Sequence, residues 1–122
     1  MRDTVTGKRT EAEVQRAILA YLDTRGDVVA WRANSRVVDM VGKGGKVRPY
    51  RMGFKGCPDI VGWKRDEDDA GKFLAVFLAI EVKAEGKEGD VTVEQRAFLD
   101  KVRADGGIAI VASCVGHVAV GL

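Results

Sequence analysis

Cysteine and histidine are scarce in this chain, and that scarcity narrows its chemistry. The 122 residues include two cysteines and one histidine. Cys57 and Cys114 stand far apart and fit no zinc-ligand spacing; in a reducing compartment they read as small buried hydrophobes, not a disulfide. His117 has no second histidine to join it. It falls in a stretch, Val115 to Val120, expected to form a last edge strand, and reads as structural. No apolar run approaches the roughly 20 residues a membrane-spanning helix needs; the longest, Phe73 to Ile80, reads as a buried strand. The start, Met1-Arg2-Asp3-Thr4, has no apolar segment of the secretory kind. No repeat or low-complexity tract occurs beyond a glycine-bearing stretch at residues 42–45. Charge of one sign is also missing: 20 Lys and Arg face 18 Asp and Glu, a net +2 that argues neither for nor against a nucleic-acid partner.

A 46% hydrophobic chain of this length is expected to form one globular domain over residues 1–122, with enough apolar side chains for a real core. The charge is unevenly placed. Between Val28 and Pro58 stand seven basic residues, Arg32, Arg36, Lys43, Lys46, Arg48, Arg51 and Lys55, against one acid, Asp39. The opposite bias follows at Asp66-Glu67-Asp68-Asp69. A basic stretch ahead of clustered carboxylates suits a phosphate-bearing substrate; a solvated loop is the plainer account.

Local signals give the elements. Thr10 and Glu13 form a capping box, opening a helix to about Arg25 with Val14, Ala17, Ile18, Tyr21 and Leu22 as its apolar stripe and Gly26 as its stop. Glu11 falls on that stripe, whereas Glu13 is used by the cap. Val28 to Arg32 reads as a strand. Ala33 to Lys55 is a basic hairpin or mobile loop with a short strand near Arg48–Met52. Pro58 fixes the backbone ahead of a strand at Asp59–Trp63. An acidic turn at Asp68–Gly71 then leads to a long antiparallel partner, Phe73–Lys83. Thr92 and Gln95 form a second capping box, opening a helix to about Ala104 with Phe98, Leu99 and Val102 inward. Ile108–Ala112 is a buried strand, reached by a right-handed parallel crossover. The expected class is α/β: a central mixed sheet flanked by helices, in the order αβββαβ.

Two short words carry the chemistry, Gly56-Cys57-Pro58-Asp59 and Glu81-Val82-Lys83. Strand alternation puts Glu81 and Lys83 on one face and Val82 on the other. Phosphodiester hydrolysis needs an activated water, a counter-charge for the transition state and help for the leaving oxygen, and a hard divalent cation held by oxygens supplies all three. Asp59 and Glu81 are the candidate ligands, with the Val82 carbonyl as a third oxygen. Lys83 would reach the phosphate or position the water, and Glu11 would add a carboxylate directly or through water. Plainer readings stand beside these. Asp59 fits a turn residue, Glu81 and Lys83 a surface ion pair, Glu11 a helix-dipole partner and Gln95 a cap alone.

In these words the chain resembles the PD-(D/E)XK nuclease superfamily. It is more closely similar to its VRR-NUC (virus-type replication-repair nuclease) family, over about residues 10–113. The resemblance rests on Glu11, Gly56-Cys57-Pro58-Asp59, Glu81-Val82-Lys83, Gln95 and Gly106-Gly107-Ile108 in that order. It implies a restriction-endonuclease-like core and Mg2+ or Mn2+ at Asp59, Glu81 and the Val82 carbonyl. It also implies that Lys83 is the catalytic lysine, with Gln95 facing the site. No organic cofactor or membrane partner is implied. Standalone members resemble small structure-selective nucleases of bacteria and viruses, which places the expected site of action in a bacterial or infected host cytoplasm. A homodimer would present two sites to a symmetric branched substrate, so the expected activity is cleavage of four-way (Holliday) junctions. Arg32, Arg36, Lys43 and Arg48 would then track the phosphates. A flap or nonspecific nuclease, or a DNA-binding accessory module without hydrolysis, remains the alternative.

Overall fold

Two capping boxes start the two longer helices. In the computed structural model, which describes residues 7–33 and 36–122 and only the backbone of residues 36, 37, 51 and 52, helix α1 spans Glu11–Asp23 and α2 spans Val93–Ala104. Thr10 Oγ1 accepts the Glu13 amide at 3.3 Å while the Thr10 amide donates to Glu13 Oε1 at 3.4 Å. At α2 the Gln95 amide donates to Thr92 Oγ1 at 3.1 Å and the Thr92 amide to Gln95 Oε1 at 2.9 Å. Each box satisfies amides that have no partner inside the helix. Helix α1 stops at Asp23, where the Thr24 hydroxyl donates to the Tyr21 carbonyl at 2.6 Å; the stop comes before Gly26.

The strands are β1 (Val28–Arg32), β2 (Arg36–Val41), β3 (Val47–Met52), β4 (Ile60–Glu67), β5 (Phe73–Val82) and β6 (Ile108–Ala112). Four form a mixed sheet in the order β1-β4-β5-β6, antiparallel except for the β5–β6 pair. The core is therefore the expected αβββαβ arrangement, an α/β sheet flanked by helices of the restriction-endonuclease-like kind. The basic segment inserted between β1 and β4 forms a separate antiparallel hairpin, β2–β3, turning through a 3-10 turn at Lys43–Gly45.

One face of the sheet carries the main core. Val14, Ile18 and Leu22 of α1 pack on Val28, Ile60, Leu78, Ile80, Val82, Ile110 and Ala112. Ile18, Ile60, Leu78 and Ile80 are fully buried, and each contributes about 1.5–3 kcal/mol of transfer free energy. The opposite face is covered only in part. There α2 seats Leu99 and Val102 on Ala79, with Phe98, Ala109 and Val111 around them. Among the described residues no helix lies over the β1 half of that face.

Three expectations change. Val115–Gly121 is a helix, α3, not an edge strand. Val118 is buried in the main core, and a side chain at Gly121 would meet Ile110 at 2.6 Å, so packing on β6 sets the conformation. His117 lies in this helix, and its Nδ1 accepts the Ser113 amide at 3.1 Å. The long apolar run is buried only from Leu78 onward: Phe73, Leu74 and Phe77 are exposed, because the β4–β5 hairpin runs on past the helices. Both cysteines are free thiols, but Cys114 is exposed and Cys57 only half-buried.

Candidate active site

The two words meet because the β4–β5 register brings them together. Ile60 pairs with Ile80, so Asp59 and Glu81 stand opposite each other one step further on, at the end of both strands. The backbone fixes Asp59 from two sides: its carbonyl accepts the Ala33 amide at 2.9 Å, and its Oδ2 accepts the Val82 amide at 2.8 Å. Lys83 is held in turn by its amide on the Ala112 carbonyl of β6, at 2.9 Å.

The approach to Asp59 is clamped on the start of α2. Gly56 has φ +86°, and a Cβ there would lie 2.6 Å from the Glu94 carbonyl oxygen, so only glycine fits both the conformation and the space. Lys55 pairs with Glu94 at 3.0 Å, and the Phe54 and Phe98 rings stand 5.3 Å apart. In the sequence Gly56 stands out only as part of a short word; its close approach to Glu94 is a three-dimensional contact with no sequence signal beyond the glycine.

Glu81 is 3% exposed. Gln95 Nε2 donates to its Oε1 at 2.8 Å, and Lys83 Nζ lies 3.6 Å from the same oxygen. Gln95 Oε1 accepts from Lys83 Nζ at 3.2 Å while also accepting the Thr92 amide. One amide side chain therefore caps α2 and joins Glu81 to Lys83. Glu81 Oε2 is buried with no hydrogen-bond partner among the described residues. Burial pushes the Glu81 carboxyl up to about 8; the facing Asp59 charge adds to the shift and Lys83 offsets part of it.

Glu11 stands in the first turn of α1, on the face that carries buried Val14, Ile18 and Leu22, and is itself exposed. Its carboxyl is raised by partial burial and by the Asp59 charge and lowered by Lys83, which places it in the same electrostatic neighbourhood. Glu13 is engaged in the cap instead. Of the four candidate phosphate contacts, Lys43 and Arg48 are exposed on the β2–β3 hairpin. Arg32 lies on the α1 side of the sheet, beside Ala12 and Arg16. The Arg36 side chain lies outside the described residues.

Among the described residues no group of three or more His, Cys, Asp or Glu side chains is placed to hold a metal ion. What is present still fits a hard cation. Two carboxylates face each other, burial and the Asp59 charge hold one of them well above the ordinary carboxylate range, and one buried carboxylate oxygen has no hydrogen-bond partner among the described residues. A divalent cation would satisfy that oxygen and remove the repulsion.

A family model described as the VRR-NUC domain matches residues 9–116 of the chain. No curated protein and no solved structure matches it.

Proposed function

Since the chain belongs to the VRR-NUC family and is thus a nuclease domain with DNA as its substrate, we propose that it is a divalent-metal-dependent endonuclease that cuts branched DNA, four-way junctions foremost, as a homodimer. The observation that carries the metal is Glu81 Oε2, buried opposite Asp59 with no hydrogen-bond partner among the described residues. Asp59 and Glu81 would hold Mg2+ or Mn2+, with the Val82 carbonyl as a further oxygen and Glu11 reaching it through water. The cation supplies charge neutralisation and an acidified water.

The rest of the chemistry belongs to side chains. Gln95 holds Lys83 Nζ 3.6 Å from Glu81 Oε1, where the ammonium group can meet a phosphate oxygen or orient the attacking water. The same amide keeps Glu81 from turning away. Lys43 and Arg48 on the hairpin, with Arg32 and Arg36, would track the flanking phosphates.

The test is a cleavage panel of duplex, flap and four-way-junction DNA with each metal, run for wild type and Asp59→Ala. Metal-dependent junction cutting that Asp59→Ala abolishes is the expected result. No cutting by wild type, or identical cutting by both, overturns the catalytic reading. Preferential cutting of flaps replaces the junction as substrate. Calorimetric titration of Mn2+ reads the metal site without activity: Asp59→Ala should lose binding and Lys83→Ala retain it. Light scattering on the purified protein checks the dimer, and a monomer at micromolar concentration removes it.

A further inference from the structure

The carboxylates share a sheet face with an exposed pair of aromatic rings. Glu81 lies on the α2 face of the sheet, because Gln95 of α2 reaches it. On that same face α2 covers β5 and β6, and among the described residues no helix packs on the β1 and β4 half. Trp63 shares this face, since it pairs with Phe77, which lines a cleft with Phe98 and Val102 of α2. Trp31 meets Trp63 edge-on with ring centroids 6.0 Å apart. Both rings remain accessible, at 49% for Trp31 and 40% for Trp63.

Position links this surface to the chemistry. Trp31 pairs with Val61, two residues from Asp59, so its ring is displaced from the Asp59 carboxylate by about 7 Å along the strand. A nucleic-acid strand reaching Asp59 and Glu81 over the β1 and β4 half of the face crosses Trp31 first. A base inside a duplex is already stacked on its neighbours and cannot use a tryptophan; an unpaired base can. We propose that Trp31, braced by Trp63, is a stacking platform for a base unpaired next to the scissile phosphate, as at a flap or at a four-way junction opened at its branch point. This rests on the nuclease reading for the location of the scissile phosphate, but its binding test does not require cleavage.

The chain has only two tryptophans, both in this surface, so intrinsic fluorescence reports it alone. Wild type, Trp31→Ala and Trp31→Phe are titrated in EDTA with an oligothymidylate and with a blunt duplex, by tryptophan emission and by anisotropy of labelled DNA. Oligothymidylate should quench the wild-type emission. Trp31→Ala should weaken oligothymidylate binding about five- to a hundredfold, the range for loss of one base–aromatic stack. Trp31→Phe should restore most of it, and duplex binding should hardly change. Absence of quenching, or an equal loss for both DNAs, overturns the proposal. So does a Trp31→Ala protein that light scattering shows converted from dimer to monomer, since the surface then belongs to a second copy. Failure of the nuclease reading shows separately, as no cleavage of any DNA with either metal.

Discussion

Gln95 concentrates three functions in one side chain, which makes its loss informative. Its carbonyl oxygen serves the Thr92 amide and Lys83, and its amide nitrogen serves Glu81. Gln95→Ala should cost about 1 kcal/mol of stability through the cap, seen as a lower urea midpoint. It should cut cleavage by far more than that loss explains, since Lys83 and Glu81 both lose their tether. Thr92→Ala is the control. It damages the same cap but leaves Gln95 free to bridge the site, so it should match Gln95→Ala in stability and exceed it in rate; equal rates would make Gln95 a cap alone. Glu81 gives a pH signature in metal-free protein. Its folded carboxyl keeps a proton up to about pH 8, whereas the unfolded group releases it near 4.5. The folded state thus binds the extra proton between these values, and its stability must fall as pH rises through that window. Urea midpoints in EDTA from pH 5 to 9 should show this decline. Glu81→Gln should flatten it and Mn2+ should oppose it. A wild-type slope no steeper than that of Glu81→Gln would refute the assignment.

At the scale of elements, the start of α2 is the hub. It presents Gln95 to the site, and its backbone at Glu94 meets Gly56 on the approach to Asp59. Gly56→Ala should therefore do more harm than Gly106→Ala. Both glycines have positive φ, but Gly106 has nothing within 4 Å of a would-be Cβ while Gly56 has the Glu94 carbonyl. Strain alone costs about 1 kcal/mol at each. Gly56→Ala must also push the Asp59 turn away from α2, so its denaturation midpoint should fall further and its Mn2+ affinity should drop; equal midpoints would reduce Gly56 to a turn residue. These relationships also mark how far the sequence could be read. Capping boxes are local, so α1 and α2 were legible from Thr10–Glu13 and Thr92–Gln95. The facing of Asp59 and Glu81 was legible because a hairpin with a short acidic turn leaves little choice of register. Helix α3 was not: valines interleaved with small residues alternate like a strand, and only the docking of Val118 and Gly121 against β6 makes them helical. The outer half of β5 misled for a similar reason, because apolar composition does not reveal where covering helices end.

For the whole molecule, the question is how a small core without an excess of charge holds a polyanion. Net charge is +2, too little for attraction by the overall field, so affinity must come from where the cations sit. The β2–β3 hairpin is a separate two-stranded sheet carrying exposed Lys43 and Arg48. Among the described residues it pairs with no strand of the main sheet, so its charges can be reversed without touching the core or the carboxylates. Lys43→Glu with Arg48→Glu should leave the melting temperature nearly unchanged. The same pair should weaken junction binding strongly at low salt, and weaken it less as salt rises. If each residue meets one phosphate, the slope of log K against log salt should shrink by about 1.8, close to 0.9 per contact. Affinities measured in EDTA from low to moderate NaCl give that slope directly. An unchanged slope would move the phosphate track off the hairpin and onto the body of the sheet, where Arg32 flanks α1. A reduced slope together with intact oligothymidylate quenching would assign separate tasks to the two surfaces: charge on the hairpin to hold the backbone, and aromatic rings beside the carboxylates to sense an unpaired base.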